Sequence, residues 1–393
     1  MLSERLEFVP AHDAEILAAI PAAPAVFLLR ADDPQSEPYI SKTANLRRRL
    51  QRLLGMPTET SKRLNLRERV RWIEYSSTAS DFESTLLLYK LLRSHFPKTY
   101  SARLRLRFAP LVKLHLTNEY PRASITTRLG RLNGRNLYYG PFPSRTAAEK
   151  FANDSLDFFK MRRCVDDLHP DPAFPGCIYS EMKMCLAPCF KGCTDEDYAT
   201  EVARVENYFD SGGESLVREI SQQRDAASSN LEFENAATLH ARIEKLKGVL
   251  NGLPEIVTRI DRLQALIIQR SSLPESVSLF RVHAGAIHGP TTFSLQSPEH
   301  TKSQSMEARL QQTLAALPSP QPTTLETMEQ LTILKRWYYR SSRSGEIFFA
   351  DEKGKLPIRR MVRGIARVYR GESSDGDEAQ CMDSSASLRS ASE

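Results

Sequence analysis

A short stretch near the start of the chain, YISKTANLRRRL (Tyr39–Leu50), carries one tyrosine, one lysine and three consecutive arginines. Lysine and arginine bind phosphate through their charge and through several N–H donors. The stretch therefore predicts a phosphate-binding turn, which we call the basic turn. The alternative is that the arginines form the solvated outer face of a helix. The candidate residues are Tyr39, Lys42 and Arg49, with Arg47, Arg48 and Arg52 as further contacts to a polyanion.

A cluster of cysteines is the second candidate group. Five of the six cysteines lie between Cys164 and Cys193, and four of them follow the spacing C-x12-C-x7-C-x3-C. Clustered thiolates suit tetrahedral zinc or an iron–sulfur cluster, and the spacing does not choose between them. His169 is an alternative ligand, Cys193 is a spare ligand or a free thiol, and four free buried thiols are the remaining alternative. The candidate ligands are Cys164, Cys177, Cys185 and Cys189.

Positive charge is concentrated in two segments of the chain. The net charge is +6, and residues 371–393 hold six acidic residues against one arginine, which leaves +11 on the rest. Ser41–Trp72 has ten Lys/Arg against two acidic residues, and Leu91–Gly130 has eight against one. Such clustering favours a polyanionic partner such as nucleic acid, although a solvated helix face would also explain it. The chain has no run of 18 apolar residues and its start lacks a signal-peptide pattern, so we expect a cytoplasmic protein.

The elements around the basic turn read as a small α/β unit. Pro24–Arg30 and Pro38–Ser41 predict an antiparallel hairpin, and Val70–Tyr75 predicts a third strand. A helix capped by Thr43 and running to about Leu54, where Gly55–Pro57 end it, is expected between them. A second helix, capped by Ser80, is expected from Asp81 to about His95.

The rest of the chain alternates strands and helices of several kinds. Helices are expected over Arg145–Arg162, Asp195–Tyr208 and Leu325–Arg340, and strands over Val277–Leu295. Gly212–Leu250, with a break near Ser229–Asn230, predicts a helical hairpin whose narrow apolar stripe must dock on something. The predicted fold class is multidomain, α/β and α+β. The predicted divisions are 1–97, 98–210 with the cysteines, 211–250 with the hairpin, 251–370 of mixed structure, and an acidic disordered tail at 371–393, with a proline linker at Pro318–Thr324.

The order Pro24-Ala25-Val26-Phe27, then Tyr39-Ile40-Ser41-Lys42 and Asn45-Leu46-Arg47-Arg48-Arg49, resembles the start of GIY-YIG nucleases and most closely that of the UvrC family. In that family a tyrosine base activates water, and lysine and arginine hold the phosphate. A glutamate on the following helix holds one divalent metal ion. The resemblance implies these roles for Tyr39, Lys42 and Arg49.

Two positions depart from the family pattern. The tyrosine that ends the first family triplet is Phe27, and Tyr89 stands where the metal-binding glutamate is expected after a leucine triplet. A neutral phenol is a poor ligand for Mg²⁺, and neither Glu83 nor Asp81 reaches the same point of an ideal helix. Lys90 adds positive charge beside this position. These departures predict a site that retains phosphate binding and has lost hydrolysis.

The cysteine pattern and the hairpin also resemble the UvrC family. The family's cysteines imply a 4Fe–4S cluster with a structural role, zinc being the alternative. NLEFENAATLHARIEKLK (Asn230–Lys247) resembles the UVR motif, which pairs with an equivalent hairpin of UvrB, while an intramolecular role is the alternative. His240 stands where the family often has arginine. The implied partner contacts are Phe233, Ala236, Ala237 and Leu239.

The resemblance covers about 350 residues in order and implies nucleotide-excision DNA repair. The chain ends where that family would begin its RNase H-like endonuclease and helix-hairpin-helix regions, so we expect these to be absent. Two hypotheses follow. The chain is a DNA- and UvrB-binding protein with an impaired nuclease site, or it is an active endonuclease that makes one incision near a lesion, in which case the site needs Mg²⁺.

Overall fold

The computed structural model describes residues 2–33, 35–56, 64–132, 134–165, 168–296, 304–317 and 322–372. The strands in these ranges are β1 (Glu4–Glu7), β2 (Ala25–Arg30), β3 (Tyr39–Thr43), β4 (Trp72–Ser77), β5 (Leu111–Leu114), β6 (Ala123–Thr126), β7 (Leu137–Gly140), β8 (Thr258–Arg259), β9 (Gln264–Arg270), β10 (Ser276–His283), β11 (Ala286–Ser294) and β12 (Glu346–Phe349). The helices are α1 (Asp13–Ala19), α2 (Leu46–Leu54), α3 (Asp81–His95), α4 (Tyr100–Leu104), α5 (Arg145–Leu156), α6 (Ile178–Glu181), α7 (Asp195–Asp210), α8 (Glu214–Ser229), α9 (Phe233–Leu250), α10 (Met306–Ala316), α11 (Thr324–Tyr338) and α12 (Ile358–Arg370).

The N-terminal sheet has the strand order β1–β4–β2–β3, and all its pairs are antiparallel. The predicted hairpin is β2 and β3, and it sets Phe27 opposite Ser41. Helices α1 and α2 pack on one face of this sheet and α3 on the other. The third predicted strand begins at Trp72 rather than Val70. Strand β1 was not predicted, because ERLE is mostly charged and becomes a strand only by pairing with β4.

The start of α2 corrects one prediction. Asn45, not Thr43, is the N-cap, since its side-chain oxygen accepts from the Arg48 N–H at 2.9 Å. Thr43 is the last residue of β3, and its hydroxyl accepts from the Asn45 N–H instead. The cap of α3 is as predicted: Ser80 Oγ accepts from the Glu83 N–H at 3.0 Å.

The middle sheet has the order β6–β5–β7–β8, with α5 and α7 packed on its core. Helix α5 ends at Leu156, earlier than the predicted Arg162. Strand β8 follows the helical hairpin in sequence and returns to pair with β7. The predicted hairpin is present as α8 and α9. Its inner face is buried against the core of the middle sheet through Leu216, Ile220, Ile243 and Leu246.

The C-terminal sheet has the order β11–β10–β9–β12, and β10 and β11 are the strands expected in Val277–Leu295. Helices α10 and α12, which were not predicted, cover one face. Helix α11 packs on the other face and contacts α3. Helix α3 therefore lies between the N-terminal sheet and α11.

Three predictions on the architecture need comment. Among the described residues, every strand pair in the three sheets is antiparallel, so the fold is of the α+β type. The parallel strand pairs of an α/β fold are not present in these residues. Thr324, predicted in the linker, begins α11, while 318–321 and the tail from 373 lie outside the described residues. Within the described ranges, no helix combines the length and the apolar character needed to span a bilayer.

Candidate nucleic-acid interface

Tyr39 and Arg49 converge on the face of the N-terminal sheet that α1 and α2 cover. Arg49 Nη2 donates to the Tyr39 hydroxyl at 2.8 Å. Phe27 is fully buried, and its ring centroid lies 6.0 Å from that of Tyr39. Two of the three predicted catalytic positions are thus in direct contact, and Phe27 lies in the core beside them.

Lys42 lies on the opposite face of the same sheet. Successive side chains of a strand point to opposite faces, and Ile40, on the Lys42 side, packs in the core around α3. Lys42 Nζ donates to Asp81 Oδ1 at 2.5 Å and to Thr85 Oγ1 at 2.7 Å, both on α3. The structure therefore does not bring Lys42 to the Tyr39–Arg49 pair.

Asp81 links Lys42 to the C-terminal part of the chain. Its Oδ2 lies 2.7 Å from Nη1 of Arg340, which follows α11. Burial alone would raise the pKa of this carboxyl, but the hydrogen bond from Lys42 and the charges of Lys42 and Arg340 outweigh it and lower the pKa. Asp81 is thus an ionised bridge between two cations rather than a vacant metal ligand.

Of the remaining candidate arginines on α2, two are available to an outside ligand. Arg47 Nε donates to the Ile20 carbonyl at 2.7 Å and so fastens α2 to the preceding loop. Arg48 and Arg52 are exposed and one helical turn apart, and neither has a carboxylate partner among the described residues. Arg48 and Arg52 are therefore the candidate arginines that an outside anion can reach.

The two basic segments contain structural as well as exposed cations. Arg67 is buried, pairs with Asp13 and donates to backbone carbonyls, so it belongs to the fold. Residues 57–63, part of the first segment, lie outside the described residues. In the second segment, Arg105, Arg107 and Arg128 are exposed. The basic character predicted from sequence is thus partly internal.

Tyr89, where the resemblance to the UvrC family predicts a metal-binding glutamate, is only 1 % exposed and faces α11. Its hydroxyl donates to Glu329 Oε2 at 2.8 Å, and the Tyr100 hydroxyl donates to Glu329 Oε1 at 2.6 Å. Burial, with the hydrogen bond to Glu329, raises the pKa of Tyr89, so it remains a neutral donor. Arg93 also contacts the Tyr89 hydroxyl and pairs with Glu326. This position is an inter-element contact, not an open coordination site.

Two neighbouring side chains of α3 are also engaged. The carboxylate of Glu83 is buried and accepts from the Ala79 N–H at 3.0 Å, and burial raises its pKa. Lys90 donates to the carbonyl of Gly289 at 3.0 Å. Together with Asp81, these side chains already have partners, so none is a ready substitute for the missing glutamate.

The four predicted cysteine ligands are neighbours in a loop-rich segment. All are partly exposed, and none forms a disulfide. Burial, and then the proximity of the other three thiols, raises the pKa of Cys185 to about 11. Burial and the proximity of Cys177 and Cys164 raise the pKa of Cys189, and burial with nearby aspartates raises that of Cys193. Among the described residues, however, no three His, Cys, Asp or Glu side chains are arranged so that they could hold a metal ion.

Hydrogen bonds to sulfur bear on which group this segment could hold. Arg162 Nη1 donates to Cys164 Sγ and the Ala187 N–H donates to Cys185 Sγ, both at 3.3 Å. Such bonds stabilise thiolate, the form that ligates metals and iron–sulfur clusters. The donor set thus fits four-thiolate ligation in its chemistry, while the sulfurs do not form a coordination polyhedron. His169 has no part in the thiol cluster's contacts among the described residues.

The helical hairpin exposes its tip. Leu231, with a positive φ of 59°, and Phe233 are 72 % and 65 % exposed. Of the other predicted partner contacts, Ala237 is exposed, whereas Ala236 and Leu239 are half-buried, and Leu239 packs on the core of the middle sheet. Two of the four therefore serve this chain's own packing at least in part.

Sequence reasoning missed the residues of α11 and its following loop. Glu329 and Arg340 contact α3 across more than 200 positions of sequence, and no local pattern predicts such a contact. The only signal was the basic, aromatic run LKRWYYR at the end of α11.

A match to a known protein family indicates the class to which the middle part of the chain is similar. Residues 110–208, which run from β5 to α7 and include the cysteines, match the family described as UvrC/Cho excinuclease, middle domain. The chain is thus UvrC-like over its middle part.

Individual proteins are also similar to this chain, and each of the following three is named UvrABC system protein C. The chain is 28 % identical to that of Rickettsia canadensis over 245 residues, which cover 62 % of this chain and 38 % of the relative. It is 26 % identical to that of Haemophilus ducreyi over 286 residues, which cover 72 % of this chain and 46 % of the relative. It is 23 % identical to that of Acetivibrio thermocellus over 328 residues, which cover 82 % of this chain and 52 % of the relative. The chain spans between about two-fifths and half the length of these relatives. No solved structure matches the chain.

Proposed function

We propose that the protein is a UvrC-like component of bacterial nucleotide-excision repair, which binds DNA and a UvrB-type protein and does not hydrolyse phosphodiesters at its N-terminal site. The observation that supports the silent site is the burial of Tyr89 against Glu329. A hard ion such as Mg²⁺ requires carboxylate or water oxygens, and this position offers a neutral phenol with its hydroxyl already bonded. The separation of Lys42 from Tyr39 supports the same interpretation.

DNA binding is supported by Arg48 and Arg52. Each phosphate contact releases counterions, so the logarithm of the affinity should fall linearly with the logarithm of salt concentration. Replacing both residues with glutamine should weaken binding to any duplex and reduce the salt slope by about 2. Arg47→Gln is not a suitable control, because it would remove the hydrogen bond from Arg47 to the Ile20 carbonyl that fastens α2 to the preceding loop. The control is Arg218→Gln, which removes one positive charge at an exposed position on α8, away from the basic turn.

A second candidate function, an active endonuclease, is favoured by the intact Tyr39–Arg49 contact. The test is a nicking assay with lesion-bearing duplex, a UvrB partner, ATP and Mg²⁺ or Mn²⁺. The proposal predicts no nick above a no-protein control. A nick that disappears in Tyr39→Phe or Arg49→Ala protein would overturn the silent-site proposal and leave the DNA-binding part intact.

A UvrB-type partner is proposed to bind the hairpin tip. An exposed aromatic side chain at the end of two helices suits a helix-in-groove contact, with Glu232 and Glu234 as charged neighbours. Phe233→Ala should weaken binding to a UvrB-type hairpin peptide at least tenfold by calorimetry. Leu273→Ala, which removes a similarly exposed side chain in the β9–β10 turn, should leave it unchanged. Equal affinities of the two variants would refute the assigned surface.

The four thiols are proposed to hold a structural group, a 4Fe–4S cluster or zinc. Cys164, Cys177, Cys185 and Cys189 would be the ligands, and the bound group would tie the loop between α5 and α7 together. Elemental analysis for iron, sulfide and zinc on protein purified without oxygen tests this. Cys185→Ser should abolish the metal content, and Cys193→Ser should retain it. Metal-free protein with native stability would overturn the proposal.

A further inference from the structure

A basic cleft lies between the start of α3 and the C-terminal sheet. Its volume is about 450 Å³. One wall is formed by the loop before α3, including Ser80. The other is formed by the end of β9 with Arg270 and by the loop after α11, from Arg340 to Gly345. We call it the cross-sheet cleft, because it joins elements of the N-terminal and C-terminal sheets.

The lining of the cleft is dominated by positive charge. Three guanidinium groups line it, those of Arg270, Arg340 and Arg343, against the single carboxylate of Glu372. Glu372 is itself paired with Arg370 at 2.8 Å. Within the described ranges, Arg270 and Arg343 form no ion pair. Arg340 is paired with Asp81, so the uncompensated cations of the cleft are Arg270 and Arg343, which are expected to favour an anionic ligand.

The loop that displays Arg343 is held in place. Its Ser344 carbonyl accepts from Trp337 Nε1 at 3.0 Å and from Gln269 Nε2 at 3.3 Å. The Arg343 guanidinium lies 5.4 Å from the Trp337 ring centroid and 5.0 Å from that of Tyr338. Stacking on aromatic faces restricts the orientation of a guanidinium. The arrangement is thus organised before a ligand arrives.

The two walls are directly connected, and the connection leads to Lys42. Ser80 Oγ donates to Gln269 Oε1, which joins the α3 cap to β9. Asp81 lies between Lys42 Nζ, at 2.5 Å, and Arg340 Nη1, at 2.7 Å. A second, smaller cavity lined by Lys42 shares Ser80 with the cross-sheet cleft. The cations therefore form one path along the edge of α3.

We propose that the cross-sheet cleft binds a phosphate of the DNA backbone, so that the strand contacts the C-terminal sheet as well as the basic turn. Arginine forks match phosphate oxygens bidentately, and Ser341 and Ser344, which also line the cleft, add hydroxyl donors. The proposal rests on the proposed DNA-binding function and deepens it. Lys42 then contributes to this path and not to a shared site with Tyr39.

The test uses the full chain and a fluorescently labelled duplex, with anisotropy titrations at several salt concentrations. Arg270→Gln/Arg343→Gln protein should bind at least tenfold more weakly than the wild type and show a salt slope lower by about 2. The matched control is Arg218→Gln/Arg359→Gln, which removes the same charge from exposed positions on α8 and α12 and should bind as the wild type. Arg343→Gln alone, which breaks no ion pair, should lower the slope by about 1.

The outcomes separate the two proposals. If wild-type protein binds no duplex, the proposed function fails and the cleft proposal with it. If the wild type binds and the double variant binds equally well with the same slope, only the cleft proposal fails. Inorganic phosphate and a mononucleotide are tested in parallel by thermal shift. A stabilisation by either that the double variant loses, with duplex binding unchanged, would assign the cleft to a small phosphate ligand and overturn the DNA assignment.

Discussion

Replacing Tyr89 with glutamate should destabilise the protein rather than rebuild a metal site. The new carboxylate would lie beside Glu329, whose Oε2 accepts from the Tyr89 hydroxyl at 2.8 Å. Glu329 is only 1 % exposed, so water cannot screen the two charges. Arg93 is near, but it is already paired with Glu326.

The magnitude follows from comparing two substitutions at this position. Tyr89→Phe removes one donor and leaves Glu329 with the bond from Tyr100, at a cost of about 1–3 kcal/mol. Tyr89→Glu removes the same donor and adds an uncompensated buried charge, at a cost of about 3–5 kcal/mol. With a urea m-value of about 3 kcal/mol/M, the glutamate variant should lose roughly 1–2 M in its midpoint.

The assay is urea unfolding followed by tryptophan fluorescence, since Trp337 lies on α11. Tyr369→Phe, a change at a partly exposed tyrosine, is the control and should leave the midpoint within error. The difference in urea midpoint between the glutamate and phenylalanine variants should decrease as the pH falls, because one proton shared by two adjacent carboxyls relieves their repulsion.

A compensating change makes the reasoning falsifiable. In Tyr89→Glu/Glu329→Gln protein the repulsion is gone, so the double variant should be more stable than Tyr89→Glu alone, with a coupling energy of about 1–3 kcal/mol. If Tyr89→Glu were as stable as Tyr89→Phe, α11 would not be seated on α3 in solution and the argument would fail.

Other regions give further expectations. Burial, followed by three nearby positive charges, lowers the pKa of His115 to about 4, from 6.5. The unfolded chain therefore takes up its proton first, so stability should fall as pH drops from about 6.5 to 4, and His115→Asn should flatten that part of a pH–stability profile. Gly364→Ala should cost about 1–3 kcal/mol in urea unfolding, because the added Cβ overlaps the ring of Phe348. The contrasting Gly248→Ala, in open space inside α9, should gain about 0.5–1 kcal/mol. Ser80→Ala should cost about 1–2 kcal/mol by the same method, since it removes the cap of α3 and the bond to β9.

Local sequence patterns predicted the elements that depend on local physics. The β2–β3 hairpin, α3 with its serine cap, and the α8–α9 hairpin all follow from periodicity and capping residues. The predicted α2 cap is wrong because Thr43 and Asn45 are both favourable N-caps, and only the extension of β3 through Thr43 decides between them.

What the sequence could not predict are the contacts between distant segments. The departure at Tyr89 is visible in the sequence, but there it indicates only a lost ligand. The partner that gives Tyr89 a structural role, Glu329, lies 240 residues away. Likewise, the three-residue spacing of Tyr39 and Lys42 is that of opposite faces of a strand, but the family resemblance groups them in one site.

The core around α3 has a consequence for synthesis on the ribosome. It combines Phe82, Leu86 and Tyr89 from the first quarter of the chain with Leu331 and Trp337 from the last. As the chain emerges, the side of α3 that packs on α11 has no cover until about 250 further residues have been made. During that interval it is exposed to misassociation, so we expect the nascent protein to depend on a chaperone and its folding to be completed after translation rather than during it.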